Sequence, residues 1–414
     1  MHAVRQCAPM PSQMPTPMLD LAGGPPGRPG ISSQTAAQLE AWFRDRGEPA
    51  FRARQVLDAV WRSEAASVDA VSTLPGDLRS ALTASFSWDT VADSEFVLAD
   101  GGRTEKALHR LRDGAAIESV LMHYPSGADR RERNTLCISS QAGCAVACPF
   151  CATGELGFGR DLQTAEILDQ VRSASRRLVA RGRRLTNIVF MGMGEPLLNL
   201  DRVLETVAAL NDPGRFGLGA RHITVSTSGV IPGIRRLTAL GPQFTLAVSL
   251  HAARDPLRDV LVPLNRRWPV AEVVAAASEH AVATGRRISY EVTMIGGVND
   301  TDADSDAMAE LLRGTLAHVN LIPMNPVAHT PWTASPMPII ERFAERLRRD
   351  GLPVTIRRNR GQEVGAACGQ LAADRAGAPP VAAVARRRAR LEETSAAALR
   401  GERSVEGLPS GVDA

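Results

Sequence analysis

The pattern of apolar and polar positions divides the chain into segments of different secondary structure. Between residues 35 and 90, apolar side chains recur at helical spacing, as at Leu39, Trp42 and Phe43, and predict small helices. Between 95 and 124, apolar and polar positions alternate around Gly-containing turns, which is typical of a β-hairpin or meander. From residue 135 onward, strand-like runs alternate with helical segments.

This last region contains six strand–helix units and one further strand. The predicted strands cover residues 135–139, 187–191, 222–226, 244–250, 287–294, 318–322 and 354–357. The predicted helices cover residues 164–181, 200–210, 231–240, 270–284, 302–313 and 339–349. Successive units of this kind form a parallel sheet with right-handed crossovers. Six units are too few for an eightfold barrel, so the pattern predicts an α/β fold built on a partial (β/α)6 barrel.

The same pattern gives the domain organisation. Residues 1–34 lack periodicity and are rich in Pro, Met and Gly, so we predict a disordered leader. A helical accessory domain at 35–94 precedes a β-hairpin extension and loop at 95–134, and the core follows at 135–374. Residues 375–414 are predicted to form a disordered, Arg-rich tail.

Composition narrows the class of protein. The chain is 44% hydrophobic, which suffices for a buried core, but no apolar run approaches the ~20 residues of a membrane span. The N-terminus lacks the apolar region of a secretory signal. We therefore predict a cytoplasmic enzyme with no membrane partner, in which six cysteines indicate metal or redox chemistry.

The charge pattern is open to two interpretations. The net charge is only +3, and the basic residues are 47 Arg and one Lys, Lys106. Arginine pairs well with phosphate, but a biased genomic base composition explains the preference equally well. The Arg-studded helices at 35–90 and the Arg run at 386–390 could contact RNA, or they could simply be solvated helix faces.

Three cysteines form the strongest motif, Cys144, Cys148 and Cys151, in a C-x3-C-x2-C array. A tight loop can direct all three sulfurs to one metal centre. Structural zinc and ordinary iron–sulfur clusters use four protein ligands, so three ligands leave one iron of a [4Fe–4S] cluster open. The spacing resembles the radical S-adenosylmethionine (SAM) superfamily, in which that iron binds SAM. The alternative is a zinc knuckle with a distant fourth ligand.

Small polar residues follow several predicted strands, where barrel enzymes have their active sites. They lie at residues 192–196, 226–229, 249–251 and 324–326. Each segment alone could simply form a turn, but together they predict a row of small polar groups along one rim of the barrel. The sequence has no G-x-G-x-x-G after a strand and no Walker-type loop, which argues against a Rossmann-type methyltransferase and a nucleoside triphosphatase.

Three cysteines lie outside the array. Cys7 falls in the predicted leader, and we assign it no role. Cys137 lies on the first predicted core strand, and Cys368 follows the last one. A free cysteine is usually a small core residue, whereas a pair of them beside a radical site would indicate covalent thiol chemistry.

Taken in order, these motifs resemble the RlmN/Cfr family of radical SAM RNA methyltransferases over roughly residues 37–374. The matching segments are 135–144, 148–154, 189–199, 226–230, 249–252, 320–326 and 366–371. The resemblance implies a [4Fe–4S] cluster on the three cysteines of the array and two SAM molecules per turnover. The SAM contacts that it implies come from Gly194, Glu195, Ser226, Ser249, Leu250, His251 and Asn325.

The resemblance also implies roles for three further residues. Carbon C2 of adenine has no lone pair and cannot displace the SAM methyl group, so a radical must add to it. In the implied route, Cys368 becomes S-methylcysteine and its methylene radical attacks C2. Glu118 removes the C2 proton, and Cys137 then forms a disulfide with Cys368 that releases the product. By pattern alone, Glu118 would be a hairpin carboxylate facing water.

The implied substrates are an adenosine in the peptidyl-transferase centre of 23S rRNA and the adenosine 3′ of the tRNA anticodon. Further implications are an electron donor such as flavodoxin and a monomeric state. The loop at 124–134 looks longer than is usual in the family, and the two tails have no clear counterpart. Two alternatives are C8 methylation of adenosine, as by Cfr, and a zinc-stabilised RNA-binding protein without catalysis.

Overall fold

A computed structural model of the chain describes residues 27–63, 65–127, 131–357, 360–372 and 381–402. Cys7 and most of the predicted leader lie outside this range. For residues 27–34 the prediction of disorder is wrong, because Ile31 is buried in the core. Its backbone N–H donates to the carbonyl of Ser87 at 2.8 Å, and the Arg215 guanidinium donates to the Ser32 carbonyl at 2.6 Å.

The predicted N-terminal helices are present as α1 (Ala36–Arg44), α2 (Phe51–Trp61) and α3 (Gly76–Ser85). Thr35 starts α1 with a capping box, in which its side chain and that of Gln38 each accept from the other's backbone N–H. Leu39 and Phe43 are fully buried. The apolar stripe read from the sequence is therefore the face on which these helices pack.

The predicted meander consists of β1 (Val91–Ala99), β2 (Thr104–Leu111) and β3 (Ala116–Tyr124), which pair antiparallel in that order. Strand β3 then pairs antiparallel with β4 (Arg133–Cys137), the first strand of the core. Meander and core thus share one continuous sheet, and residues on β3 reach the edge of the barrel.

The partial barrel is confirmed. Strand β4 begins a run of seven parallel strands within a ten-stranded sheet of order β1-β2-β3-β4-β7-β8-β9-β10-β11-β12. The later strands are β7 (Asn187–Phe190), β8 (Ile223–Thr227), β9 (Thr245–Ser249), β10 (Ile288–Met294), β11 (Ala317–Pro323) and β12 (Val354–Ile356). The main crossover helices are α5 (Thr164–Val179), α6 (Leu200–Asn211), α7 (Ile231–Leu240), α9 (Val270–Thr284), α10 (Asp302–Leu311) and α11 (Met337–Arg349).

Some short elements were not predicted. A hairpin of β5 (Gln141–Gly143) and β6 (Phe158–Asp161) encloses the cysteine array, with the short helix α4 (Ala152–Leu156) between its strands. Helix α8 (Asp255–Leu261) follows β9. These segments are too short for hydrophobic periodicity to mark them.

The prediction of a disordered tail is wrong for part of its length, because residues Val381–Leu399 form helix α12. Leu391 and Ala398 are buried, and Arg387 forms an ion pair with Glu155 of α4. The helix also packs against α8. In the part of the chain that the structure describes, no helix combines the length and apolar character needed to cross a bilayer.

Candidate active site

A cavity lies where the parallel strands end at their carboxyl edge. It encloses about 980 Å3 with its open mouth included. Its lining contains Cys144, Cys148 and Cys151 on one side and the carboxyl ends of β7, β8, β9, β10 and β11 on the other. The predicted rim of small polar groups and the cysteine array therefore face the same space.

The cysteine loop has a tightly constrained backbone. Ala147 adopts a left-handed conformation at φ 57°, and the Cys151 N–H donates to the Cys148 carbonyl at 3.1 Å. A Cβ atom on Gly154 would lie 2.7 Å from the Cys148 carbonyl oxygen. Glycine is therefore required at 154 for α4 to pack against the loop.

Burial raises the pKa of the Cys144 thiol to about 12. It also raises the pKa values of Cys148 and Cys151, and the neighbouring thiols add to the effect at Cys148. Thiolates at these positions therefore require a compensating positive charge, which bound iron provides. Within the described ranges, no three His, Cys, Asp or Glu side chains form a group able to hold one metal ion. A cluster does not need such a group, since each thiolate binds a different iron.

Arg258 of α8 is a completely buried cation beside the array, and sequence reasoning missed it. Its guanidinium donates to the carbonyls of Ser228, Leu250 and Ser249 at 2.6, 3.0 and 3.2 Å, and to Asn265 Oδ1 at 2.8 Å. Burial lowers the pKa of Arg258 to about 10, while the Cys148 charge opposes that shift. The side chain ties the ends of β8 and β9 together and places positive charge near one cluster cysteine.

Glu195 and Gly194 follow β7 and line the cavity. Burial raises the pKa of the Glu195 carboxyl, whose Oε2 accepts from the Ser228 N–H at 2.7 Å and from the Ser228 hydroxyl at 2.8 Å. Gly194 has φ +101°, and a Cβ there would lie 2.6 Å from the Cβ of Gln141. This close packing against Gln141 leaves room only for glycine.

His251 has an unusual backbone conformation at the end of β9, with φ 60°. Its ring lies 4.6 Å from the ring of Phe150, centroid to centroid, and Nδ1 accepts from the Thr293 N–H at 3.1 Å. Burial lowers the pKa of His251 to about 3, so the ring is a neutral wall of the cavity. Ser226 and Ser249 line the same wall.

Two predicted SAM residues are placed differently from the rest. Leu250 is buried and is not part of the lining; its carbonyl accepts from Arg258 instead. Asn325 lines the cavity, but its Nδ2 donates to the Cys368 carbonyl at 2.9 Å. Asn325 thereby connects the end of β11 with the loop that carries Cys368.

A second cavity, of about 470 Å3 with its open mouth included, adjoins the first and shares Met191, Arg357 and Cys368 with it. Cys137 lies on its wall, and burial followed by the charge of Cys368 raises the pKa of Cys137 to about 12. The structure thus brings two of the three non-array cysteines, Cys137 and Cys368, together beside the main cavity. Of the two interpretations of these residues, their placement favours thiol chemistry.

Arg357 lines both cavities, and sequence reasoning missed it as well. The negative charge of Cys368 is the main cause that raises the pKa of Arg357 above its ordinary value. The guanidinium is thus placed to stabilise a thiolate at Cys368. Neither Arg357 nor Arg258 has a sequence signal, because nothing distinguishes them from the chain's many other arginines.

Glu118 on β3 is buried rather than exposed to water, so the pattern-based expectation for this residue is wrong. Its Oε1 lies 3.0 Å from Nζ of Lys106, and its Oε2 accepts from the Ala372 N–H at 2.8 Å. The Ser139 hydroxyl donates to the backbone carbonyl of Glu118 at 2.6 Å. The carboxylate is therefore attached to the segment just after Cys368.

Comparisons with known proteins agree with this geometry. Residues 138–311 match the family model described as the radical SAM superfamily, and residues 31–87 match that of the ribosomal RNA large subunit methyltransferase N-terminal domain. A crystal structure of a radical SAM methyltransferase from Sphaerobacter thermophilus superposes with a TM-score of 0.81 at 45% identity. The superposition covers 84% of this chain and 100% of the chain from Sphaerobacter thermophilus.

The fold and site thus define a radical SAM methyltransferase. A probable dual-specificity RNA methyltransferase RlmN from Parafrankia sp. (strain EAN1pec) is 50% identical over 349 residues, 81% of this chain and 88% of that protein. Its counterpart from Saccharopolyspora erythraea is 46% identical over 83% of this chain and 94% of that protein. The chain belongs to the RlmN family of SAM-dependent, radical RNA methyltransferases, which favours an enzyme over a zinc-stabilised binding module.

Proposed function

We propose that this protein methylates C2 of an adenosine in the peptidyl-transferase centre of 23S rRNA and of the adenosine 3′ of the anticodon in tRNAs. The observation that carries this proposal is the position of Cys368, which borders both cavities. A carbon carried on its sulfur can face the main cavity while a base occupies the second one. Cys137 lies on the wall of that second cavity, where it can attack the Cys368 sulfur.

The cofactor residues follow from the same geometry. Cys144, Cys148 and Cys151 would hold the [4Fe–4S] cluster. Residues at the strand ends would contact SAM, two molecules of which serve one turnover: Gly194, Glu195, Ser226, Ser249, Leu250, His251 and Asn325. Leu250 would act only through its backbone, because its side chain lies outside the lining. When bound, these groups supply an electron, a methyl group and a 5′-deoxyadenosyl radical.

The chain's own residues then carry the methyl group. The Cys368 thiolate, stabilised by Arg357, takes a methyl group from the sulfonium and becomes S-methylcysteine. After loss of a hydrogen atom, its methylene carbon forms a bond to adenine C2, which leaves one unpaired electron on the ring. Glu118 accepts the C2 proton, and the iron–sulfur cluster, when bound, would take up the unpaired electron. Cys137 then forms a disulfide with Cys368, the sulfur–methylene bond breaks with its electron pair on carbon, and the carbon takes up a proton as the new methyl group. A reductant restores both thiols.

The matched N-terminal domain would bind RNA, and an electron donor such as flavodoxin would reduce the cluster. Such an enzyme would act as a cytoplasmic monomer. Arg44, the last residue of α1, and Arg46, just after the helix, are exposed, and the Arg46 guanidinium stacks on Trp42 at 3.8 Å from the ring centroid. Guanidinium groups of this kind suit phosphates and stacked bases.

Mapping the methyl carbon tests the proposal. Anaerobically reconstituted enzyme would be given SAM, reductant and either 23S rRNA fragments or tRNA, and the digested nucleosides would be analysed by mass spectrometry. We expect 2-methyladenosine from both RNAs. Formation of 8-methyladenosine alone would support the C8 alternative. Methylation of rRNA but not of tRNA would show that tRNA is not a substrate.

A further inference from the structure

Lys106 is the only lysine in a chain that has 47 arginines. Whatever favours arginine elsewhere in this sequence, an ammonium group stands at this one position. The two cations differ physically: a guanidinium is a planar fork with five N–H donors, whereas an ammonium is a compact point charge on a flexible stem. A position that keeps lysine in such a background indicates that the smaller cation has a specific partner.

The register of the meander supplies that partner. Lys106 of β2 pairs with Val120 of β3, two residues from Glu118. Side chains two residues apart on a strand share one face, so Lys106 and Glu118 are diagonal neighbours. Nζ lies 3.0 Å from Oε1, and the side chains are 18% and 4% exposed. Val120 also pairs with Cys137 of β4 and lines the second cavity, so this face leads directly to the two reacting thiols.

Lys106 also reaches the segment that carries Cys368. A Cβ placed on Gly365 would lie 3.7 Å from Nζ, and the other Glu118 oxygen accepts from the Ala372 N–H. Lys106 therefore lies beside this segment, and Glu118 is hydrogen-bonded to it. Among the described residues, Lys106 is the cation that pairs with the buried Glu118 carboxylate, and removing one member of a buried ion pair leaves an uncompensated charge.

We propose that Lys106 is a positioning residue for the reaction: it holds the Glu118 carboxylate in place for removal of the C2 proton. The proposal rests on the proposed role of Glu118. In that step the proton passes from C2 to a Glu118 oxygen, the C–H electron pair stays with the adenine ring, and the bound iron–sulfur cluster would take up the unpaired electron left when the carbon–carbon bond formed. The ammonium keeps its three protons throughout and can follow the carboxylate as it turns toward the base.

The first test needs no turnover. Protein labelled with 15N at lysine Nζ has one side-chain ammonium signal from the chain, since Lys106 is its sole lysine. We expect a slowly exchanging signal in the wild-type protein and a changed chemical shift with faster exchange in Glu118→Gln. An Nζ signal identical in the two proteins would contradict the ion pair and overturn the proposal.

The second test separates the charge from the fold. Lys106→Met, Lys106→Arg and, as control, Arg110→Met on the same strand would be compared using RNA deuterated at adenine C2. We expect Lys106→Met to transfer methyl at least about tenfold more slowly with an increased isotope effect, since a carboxylate that is no longer held in place removes the proton more slowly. Lys106→Arg should be faster than Lys106→Met, and Arg110→Met should match the wild type. A wild-type rate and isotope effect in Lys106→Met, or no gain from arginine, would refute the proposal.

Measurements of the steps that precede proton removal distinguish failure of the inference about Lys106 from failure of the proposed function. In Lys106→Met, 5′-deoxyadenosine production and the mass increase from methylation of Cys368 should stay at wild-type levels, because both precede proton removal. Loss of either would show a structural defect and contradict a role confined to Glu118. If Glu118→Gln is inactive and Lys106→Met is fully active, only the inference fails. If Glu118→Gln is fully active, Glu118 is not the residue that removes the proton, and both the proposed role of Glu118 and the inference about Lys106 are wrong.

Discussion

Cys368 is the residue on which the proposed covalent route depends. We expect Cys368→Ala to abolish RNA methylation, because among the described residues Cys368 carries the nucleophile that borders both cavities. The proposed cluster ligands are three different cysteines, so iron and sulfide content should remain at wild-type levels. Methyl transfer would be measured with labelled SAM, and iron and sulfide by colorimetric assay. Methylation at the wild-type rate would refute the covalent route.

In the proposed route, Cys137 has the complementary role of releasing the product. In Cys137→Ala the methylene bridge between Cys368 and the base can form but cannot be resolved, so we expect a stable protein–RNA adduct. Denaturing gel electrophoresis would detect it as a slowly migrating band, and nuclease digestion followed by mass spectrometry would locate it on Cys368. Cys137→Ser is a closer control for volume and should trap the same adduct. Free methylated RNA at a normal rate would contradict this role.

At the scale of single residues, the sequence identifies side chains that are capable of the reaction, but it does not show which groups surround them. The cysteine array and the strand-end motifs were recognisable because their spacing is local. The burial of Glu118 was not, because besides Lys106 on the neighbouring strand it contacts Ala372, which lies 254 positions away in the chain. Arg258 and Arg357 act through the same kind of long-range contact. Local spacing therefore predicts the reacting groups but not the charges that tune them.

Among the elements, the long amphipathic helices and buried strands were predicted almost completely, since each one repeats its pattern over several turns or residues. Helix α8 has seven residues and begins with Asp255-Pro256, so its pattern is too short to be read. Helix α12 was missed for another reason. Its stability comes from Leu391 and Ala398 packing on the rest of the protein, a contact that its Arg-rich sequence does not suggest.

The meander contains a buried histidine that makes its stability depend on pH. His109 of β2 is fully buried between Ser94 of β1 and Ser119 of β3, each at 2.8 Å from a ring nitrogen. Burial lowers the pKa of His109 from 6.5 to about 4. As pH falls between these values, the unfolded chain binds the proton first. The free energy of unfolding should therefore fall by up to about 3 kcal/mol from this group.

Denaturant titrations at several pH values would check this prediction. In His109→Gln the amide can still bridge the two serines, but it does not titrate, so the slope of stability between pH 6.5 and about 4 should be reduced. His222→Gln, at an exposed position, controls for loss of an imidazole. An unchanged slope in His109→Gln would show that other groups cause the acid sensitivity.

At the scale of the whole molecule, the N-terminal helices, the meander and the barrel are joined by buried polar contacts. Asp169 of α5 accepts from the N–H and hydroxyl of Thr90 at 2.8 and 2.7 Å, and the Arg172 guanidinium donates to the Trp88 carbonyl at 2.8 Å. The sequence predicted the order of these parts but not their docking, because each contact joins residues about eighty positions apart. The docking fixes the position of the N-terminal domain, for which we propose RNA binding, relative to the site.

This arrangement separates RNA affinity from the radical chemistry. We expect the double variant Arg44→Gln/Arg46→Gln to bind RNA more weakly, with a smaller dependence of affinity on salt, because each lost phosphate contact removes about one counterion from the slope. Production of 5′-deoxyadenosine in the absence of RNA should be unchanged. Fluorescence anisotropy with a labelled tRNA stem-loop at several salt concentrations would measure the slope. The exposed pair Arg235 and Arg236 of α7, changed in the same way, provides a control with equal loss of charge. An equal effect of both double variants would mean that net charge, rather than α1, determines binding.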